Sequence, residues 1–71
     1  MDRFFVPDSS IVGGRVMLDT HIAHQIVRVL RLTVGDEVII LDNSGYEHRV
    51  CIRGISRGIV EADIIYTRFG N

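Results

Sequence analysis

His21, His24, Arg28 and Arg31 are the residues whose types and spacing can do chemistry together. Three or four positions apart, they share one side of any helix that contains them. Two guanidiniums near two imidazoles supply N–H donors for phosphate oxygens and flat faces for unstacked bases, which is how single-stranded or distorted RNA is gripped. The same spacing also suits a solvated helix face, with Arg28 and Arg31 in a last turn where the helix dipole favours cations. His21 and His24 could share a metal with His48, but no acidic or thiolate partner is fixed by the sequence, so no metal site is expected.

Other candidates are weaker. Arg3 precedes Phe4 and Phe5 and is a candidate surface contact, whereas both phenylalanines read as core. Arg49, Arg53 and Arg57 form a second basic group, with Glu47 and Glu61 close enough along the chain to pair with them. Cys51 is the single cysteine, which excludes an internal disulfide, and it has no base beside it, so it reads as a partly buried strand residue. Gly13-Gly14 and the segment Gly54 to Gly58 lack phosphate-loop spacing and read as turns. No catalytic set of acid, base and nucleophile is visible.

The ridge needs a helix to carry it. After Asp19-Thr20, which can supply an N-cap oxygen, Ile22, Ile26, Val29 and Leu30 recur at helical spacing and predict one amphipathic helix over about Thr20 to Leu30. Before it, Arg3 to Val6 and Arg15 to Leu18 read as two short strands joined by a loop. After it, Glu37 to Leu41 reads as a strand, and Asp42-Asn43-Ser44-Gly45 as a turn. Two alternating runs follow, with Tyr46, His48, Val50 and Ile52 on one face of the first and Val60, Ala62, Ile64 and Tyr66 on one face of the second. About five strands and one helix in 71 residues cannot cover both faces of an open sheet, so the fold expected is mainly β, a small barrel plugged by the helix. The eight arginines, with no lysine, face nine carboxylates for a net charge of −1, so any contact with nucleic acid must be local. Neither a secretory signal nor a membrane span is indicated, and a cytoplasmic location is the default.

Arg3-Phe4-Phe5-Val6, then His24-Gln25-Ile26-Val27-Arg28-Val29-Leu30-Arg31, then Gly35-Asp36 and Asp42 with Gly45 form an ordered series. The series resembles the ribosomal RNA small subunit methyltransferase E family, from Arg3 to about Tyr66. The resemblance implies a PUA-like N-terminal domain over residues 1–71, with an ordered barrel over 3–66. Residues 67–71 would begin a linker to a knotted SPOUT methyltransferase domain outside this sequence. That domain would hold S-adenosylmethionine and methylate N3 of a 16S ribosomal RNA uridine, so no catalytic or cofactor-binding residue is expected within residues 1–71. The role implied here is RNA contact by His24, Arg28 and Arg31, with Arg3 a further candidate and His24 equally suited to a structural hydrogen bond. Implied partners are 16S ribosomal RNA or the small ribosomal subunit, the chain's own C-terminal catalytic domain, and a second copy in a homodimeric parent. The alternative is an interaction barrel that packs on the catalytic domain or partner subunit with little RNA contact.

Overall fold

The structure is a computed structural model and describes residues 1–70. Six strands form one sheet: β1 (Arg3–Phe5), β2 (Ile11–Val12), β3 (Arg15–Leu18), β4 (Glu37–Leu41), β5 (Tyr46–Ser56) and β6 (Ile59–Phe69), in the order β1-β4-β5-β6-β3-β2. The sheet is mainly antiparallel and curls into a half-barrel, as the mainly β expectation required. Its spine is the long β5–β6 hairpin. Alternation aims Val50 and Ile52 of β5, Val60 and Ala62 of β6, Val38 and Ile40 of β4, and Val16 and Leu18 of β3 into one core with Val6. The helix α1 closes this core with Ala23 and Ile26; it starts as α-helix over Thr20–His24 and continues as π-helix over Gln25–Val29.

The two N-terminal strands read from the sequence do not pair with each other. Arg3–Phe5 and Arg15–Leu18 lie on opposite flanks of the sheet, because β1 runs parallel to β4 (Arg3 opposite Ile39) while β3 pairs with β6 (Arg15 opposite Asp63). The additional strand, β2, folds back on β3 through Gly13 and Gly14, both at positive φ. Phe4 packs against the core, but Phe5 is 71% exposed, since neighbours in a strand point to opposite faces.

At the C-terminal end, Gly54 lies within β5, and the turn shrinks to Arg57-Gly58 between the paired Ser56 and Ile59. β6 runs to Phe69, beyond the expected end of the barrel at Tyr66, because Thr67, Arg68 and Phe69 pair with His48, Glu47 and Tyr46. Residues 67–69 are therefore strand rather than linker, and Asn71 lies outside the described residues. Among the described residues no helix is long and apolar enough to cross a membrane.

Candidate nucleic-acid interface

His21, His24 and Arg28 are exposed on the helix, and Arg31 is exposed just past its end. Its buried side differs from the simple stripe: Val29 is 57% exposed, while Ile22, Ile26, Val27 and Leu30 turn inward to varying degrees. The π-helical hydrogen-bond pattern fits roughly one more residue into a turn, which keeps Leu30 near Ile26 and swings Val29 outward. The start of the helix also differs. Asp19 occupies the N-cap position but makes no side-chain cap, and the Thr20 hydroxyl donates to the Asp19 carboxylate at 3.4 Å instead. Arg31 follows the helix at φ 56°, the left-handed position in which glycine commonly ends a helix. Beyond it, the Leu32 N–H donates to the Ile26 carbonyl at 2.9 Å, and the Leu30 N–H donates to Gln25 at 2.9 Å.

Facing the helix is the tip of the β5–β6 hairpin. Thr20, Ala23, His24, Val27 and Arg28 form one wall of a cleft of about 330 Å³, and Ile55 and Gly58 form the other. Arg57, next to Gly58, is exposed at the tip. Ile55 brings apolar surface to a cleft whose helix wall carries Arg28.

Ion pairing then sorts the arginines. Arg15 reaches Asp63 at 3.2 Å; Arg49 reaches Glu37 at 2.6 Å; Arg53 reaches Asp63 at 3.0 Å and Glu61 at 3.4 Å. Arg3 reaches Glu47 at 3.1 Å, and Arg68 reaches the same carboxylate at 3.4 Å. The expected pairing of Glu61 with Arg53 is present. Glu47, however, turns to Arg3 and Arg68 rather than to the hairpin arginines, because its register neighbour is Arg68. Among the described residues, Arg28, Arg31 and Arg57 have no carboxylate oxygen within 4.0 Å, so the uncompensated guanidiniums belong to α1, its end and the hairpin tip. A chain with net charge −1 thus carries a local cationic surface.

Arg3 does not join this surface. Its partner Glu47 stands at the start of β5, and Ile55 at the cleft is eight residues along that strand, about 26 Å at ~3.3 Å per residue. Sequence reading ranked Arg57 behind the helix, because proximity in sequence to Glu61 gave no sign that Arg53 would occupy that carboxylate.

The distal end of the hairpin has its own polar structure. Glu47 is only 7% exposed, and the hydrogen bond from Arg3 is the main cause that holds its carboxyl below the ordinary range, with both guanidiniums adding attraction. His48 is buried there, away from His21 and His24, with Nε2 3.1 Å from Asp42 Oδ2 and Nδ1 2.8 Å from the Thr67 hydroxyl. In the tautomer that donates Nε2–H to the carboxylate, Nδ1 accepts the hydrogen bond of the Thr67 hydroxyl. The Ser44 hydroxyl also donates to Asp42 and is the main cause of its lowered pKa. Nearby, Tyr46 and Phe69 meet edge to face at 5.4 Å, beside the exposed Phe5. Among the described residues no group of three or more His, Cys, Asp or Glu could hold a metal ion.

The fold class is a mainly β half-barrel of six strands closed by one helix. Family comparison makes that specific: residues 18–65 match the model described as the RNA methyltransferase PUA domain, and the chain belongs to that family. Among solved structures, it is similar to a ribosomal RNA small subunit methyltransferase E from Neisseria gonorrhoeae bound to S-adenosyl methionine. The identity is 26% and the TM-score 0.78, covering 96% of this chain and 28% of that one. It is also similar to a probable rRNA-methyltransferase from Porphyromonas gingivalis, with 25% identity, TM-score 0.80, and 97% and 28% of the two chains covered. A predicted RNA methyltransferase from Thermotoga maritima shares the fold at 22% identity and TM-score 0.83, covering 100% and 31%. The chain therefore spans about 28–31% of the length of these structures. No curated protein sequence matches it.

Proposed function

We propose that this domain is the RNA-recognising module of an S-adenosylmethionine-dependent methyltransferase that modifies N3 of a uridine in 16S ribosomal RNA. The observation that carries the proposal is that Arg28, Arg31 and Arg57, the arginines without carboxylate partners among the described residues, stand on the helix, just past its end and at the hairpin tip whose Gly58 faces it. Guanidiniums spared from internal pairing keep their donors for phosphate oxygens, and such contacts fix register while base contacts supply sequence. Similarity to the ribosomal RNA small subunit methyltransferase E of Neisseria gonorrhoeae supports the choice of substrate RNA. In this proposal the domain presents ribosomal RNA to a catalytic domain outside residues 1–71, in a homodimeric, cytoplasmic parent.

S-adenosylmethionine needs an apolar slot for adenine beside carboxylates free for its ribose and cationic centre. Among the described residues, the cleft of Met17, Ile55 and Glu61 has its carboxylate engaged by Arg53, the cleft of Phe5, Tyr46 and Glu47 has its carboxylate held by Arg3 and Arg68, and the cleft beside the helix has no carboxylate, so these do not fit it.

The test is an NMR titration of the chain with small-subunit ribosomal RNA fragments at low and moderate salt, beside a folded Arg28→Ala/Arg31→Ala variant. Shifts centred on His24, Arg28 and Arg31 that weaken with salt and vanish in the variant are expected; shifts that ignore the substitutions would sink the proposal. A second reading, packing on the catalytic domain or a partner subunit, is favoured by a different observation: Phe5, Tyr46 and Phe69 stand exposed at the far end of the hairpin. Shifts confined to those aromatics on addition of a separately expressed catalytic domain would support it.

A further inference from the structure

Two of the three unpaired arginines stand where the backbone would rather have another residue. Arg57 (φ 50°) and Gly58 (φ 79°) form the two-residue connection between Ser56 and Ile59, and positive φ at both centres is the mark of a type I′ turn. The first centre of that turn suits Asn, Asp or Gly, not arginine. Arg31 (φ 56°) likewise occupies the glycine position after a helix. Neither turn gains from its guanidinium, which has no carboxylate partner among the described residues. Strained residues of this kind persist where the side chain has a use.

The cleft lined by Arg28 and by Gly58, the chain neighbour of Arg57, has a composition that selects its occupant. Its apolar lining comes from Ala23, Val27 and Ile55; the His24 ring and the Arg28 guanidinium offer planar faces; and no carboxylate lines it. At about 330 Å³ it lies at the small end of ligand-sized clefts, room for one nucleotide and not for a duplex. Unstacked bases are held in RNA complexes by imidazole or guanidinium planes with their phosphates on cations. Resting on the RNA-binding reading above, we propose that the cleft between α1 and the β5–β6 turn holds a single unstacked nucleotide of RNA. Its base lies over Ile55 and Val27 beside His24, its phosphate lies between Arg28 and Arg57, and Arg57 is a contact residue in its own right.

The experiment compares a single-stranded ten-nucleotide oligouridylate with a blunt ten-base-pair RNA duplex, using fluorescence anisotropy for affinity and methyl NMR for Ile55 and Val27. The single strand is expected to shift both methyl signals, and the duplex is not. Arg57→Gly keeps a residue suited to positive φ, so the turn survives; it should weaken single-strand binding about fivefold at 0.1 M salt relative to 1 M and lower the log–log salt slope by ~0.7, one phosphate. Ile55→Ala should weaken binding roughly threefold with the slope unchanged, because it removes only apolar contact. If Arg28 and Arg31 respond to RNA while the methyl signals stay fixed and Arg57→Gly binds as wild type, the cleft proposal is overturned and the RNA-binding reading stands. If no RNA produces a response, both fall. If polyglutamate reproduces the methyl shifts, the cleft is a site for acidic protein, and the proposal is likewise overturned.

Discussion

Arg31→Gly should make the domain more stable and a poorer RNA binder at once. An L-residue with a side chain in the left-handed region costs about 1–2 kcal/mol, and Arg31 sits there at φ 56°. Glycine removes that strain but enlarges the conformational freedom of the unfolded chain, which returns about 0.4–1 kcal/mol. Arg31 is exposed and without an ion pair, so little packing is lost. The net gain is about 0.5–1 kcal/mol, or roughly 2–8 °C in Tm for a domain of this size. On the binding side, one phosphate contact to a single strand contributes about 0.7 to the log–log salt slope, equivalent to about fivefold in affinity between 1 M and 0.1 M salt. Urea and thermal unfolding followed by circular dichroism, with anisotropy titrations at four salt concentrations, measure both quantities on the same samples. A variant that is less stable than wild type would refute the strain argument. One that binds RNA with an unchanged salt slope would refute the assignment of Arg31 to phosphate.

Two further outcomes follow from the far end of the hairpin. Because the folded-state pKa of Glu47 is depressed by Arg3 and Arg68, its stabilisation is complete above the ordinary glutamate value of 4.5 and is lost as pH falls through that value toward the depressed one. Tm measured from pH 7 to pH 3 should therefore fall more steeply in wild type than in Glu47→Gln; parallel curves would remove this ion triad from the acid response. Gly45 stands at φ 89°, where an added Cβ would lie 3.2 Å from the Phe69 ring. Gly45→Ala should lower stability by at least about 1 kcal/mol through backbone strain, read by urea unfolding, and an unchanged midpoint would show that the β4–β5 turn relaxes.

The helix and the four longer strands were legible because their signals are local: periodicity marks Ile22, Ile26 and Leu30 for burial and alternation does the same for Val50, Ile52, Val60 and Ala62. Val29 misled because the π-helical turn is a tertiary choice that period counting does not register. The neighbours of Arg3–Phe5 and Arg15–Leu18 were beyond reach for a similar reason, since both pair with strands from the far side of the sequence. The ridge residues could be read from the helix. The cleft could not, because Ile55 and Gly58 meet the helix only through the curl of the sheet, and because which arginines stay unpaired is decided by cross-strand register.

The strand order also fixes a sequence of events at synthesis. Arg15 of β3 and Asp63 of β6 are register partners 48 positions apart, and β1 likewise waits for β4. At a translation rate of roughly 5–20 residues per second, β3 emerges about 2–10 s before the strand that completes it exists. The domain cannot assemble in the order in which it is made: the β4–β5–β6 meander has the local contacts to form first, and the N-terminal third joins it afterwards. Until then Val16 and Leu18 remain without their sheet partners, so the interval between making β3 and finishing β6 is when the nascent chain is most exposed to aggregation.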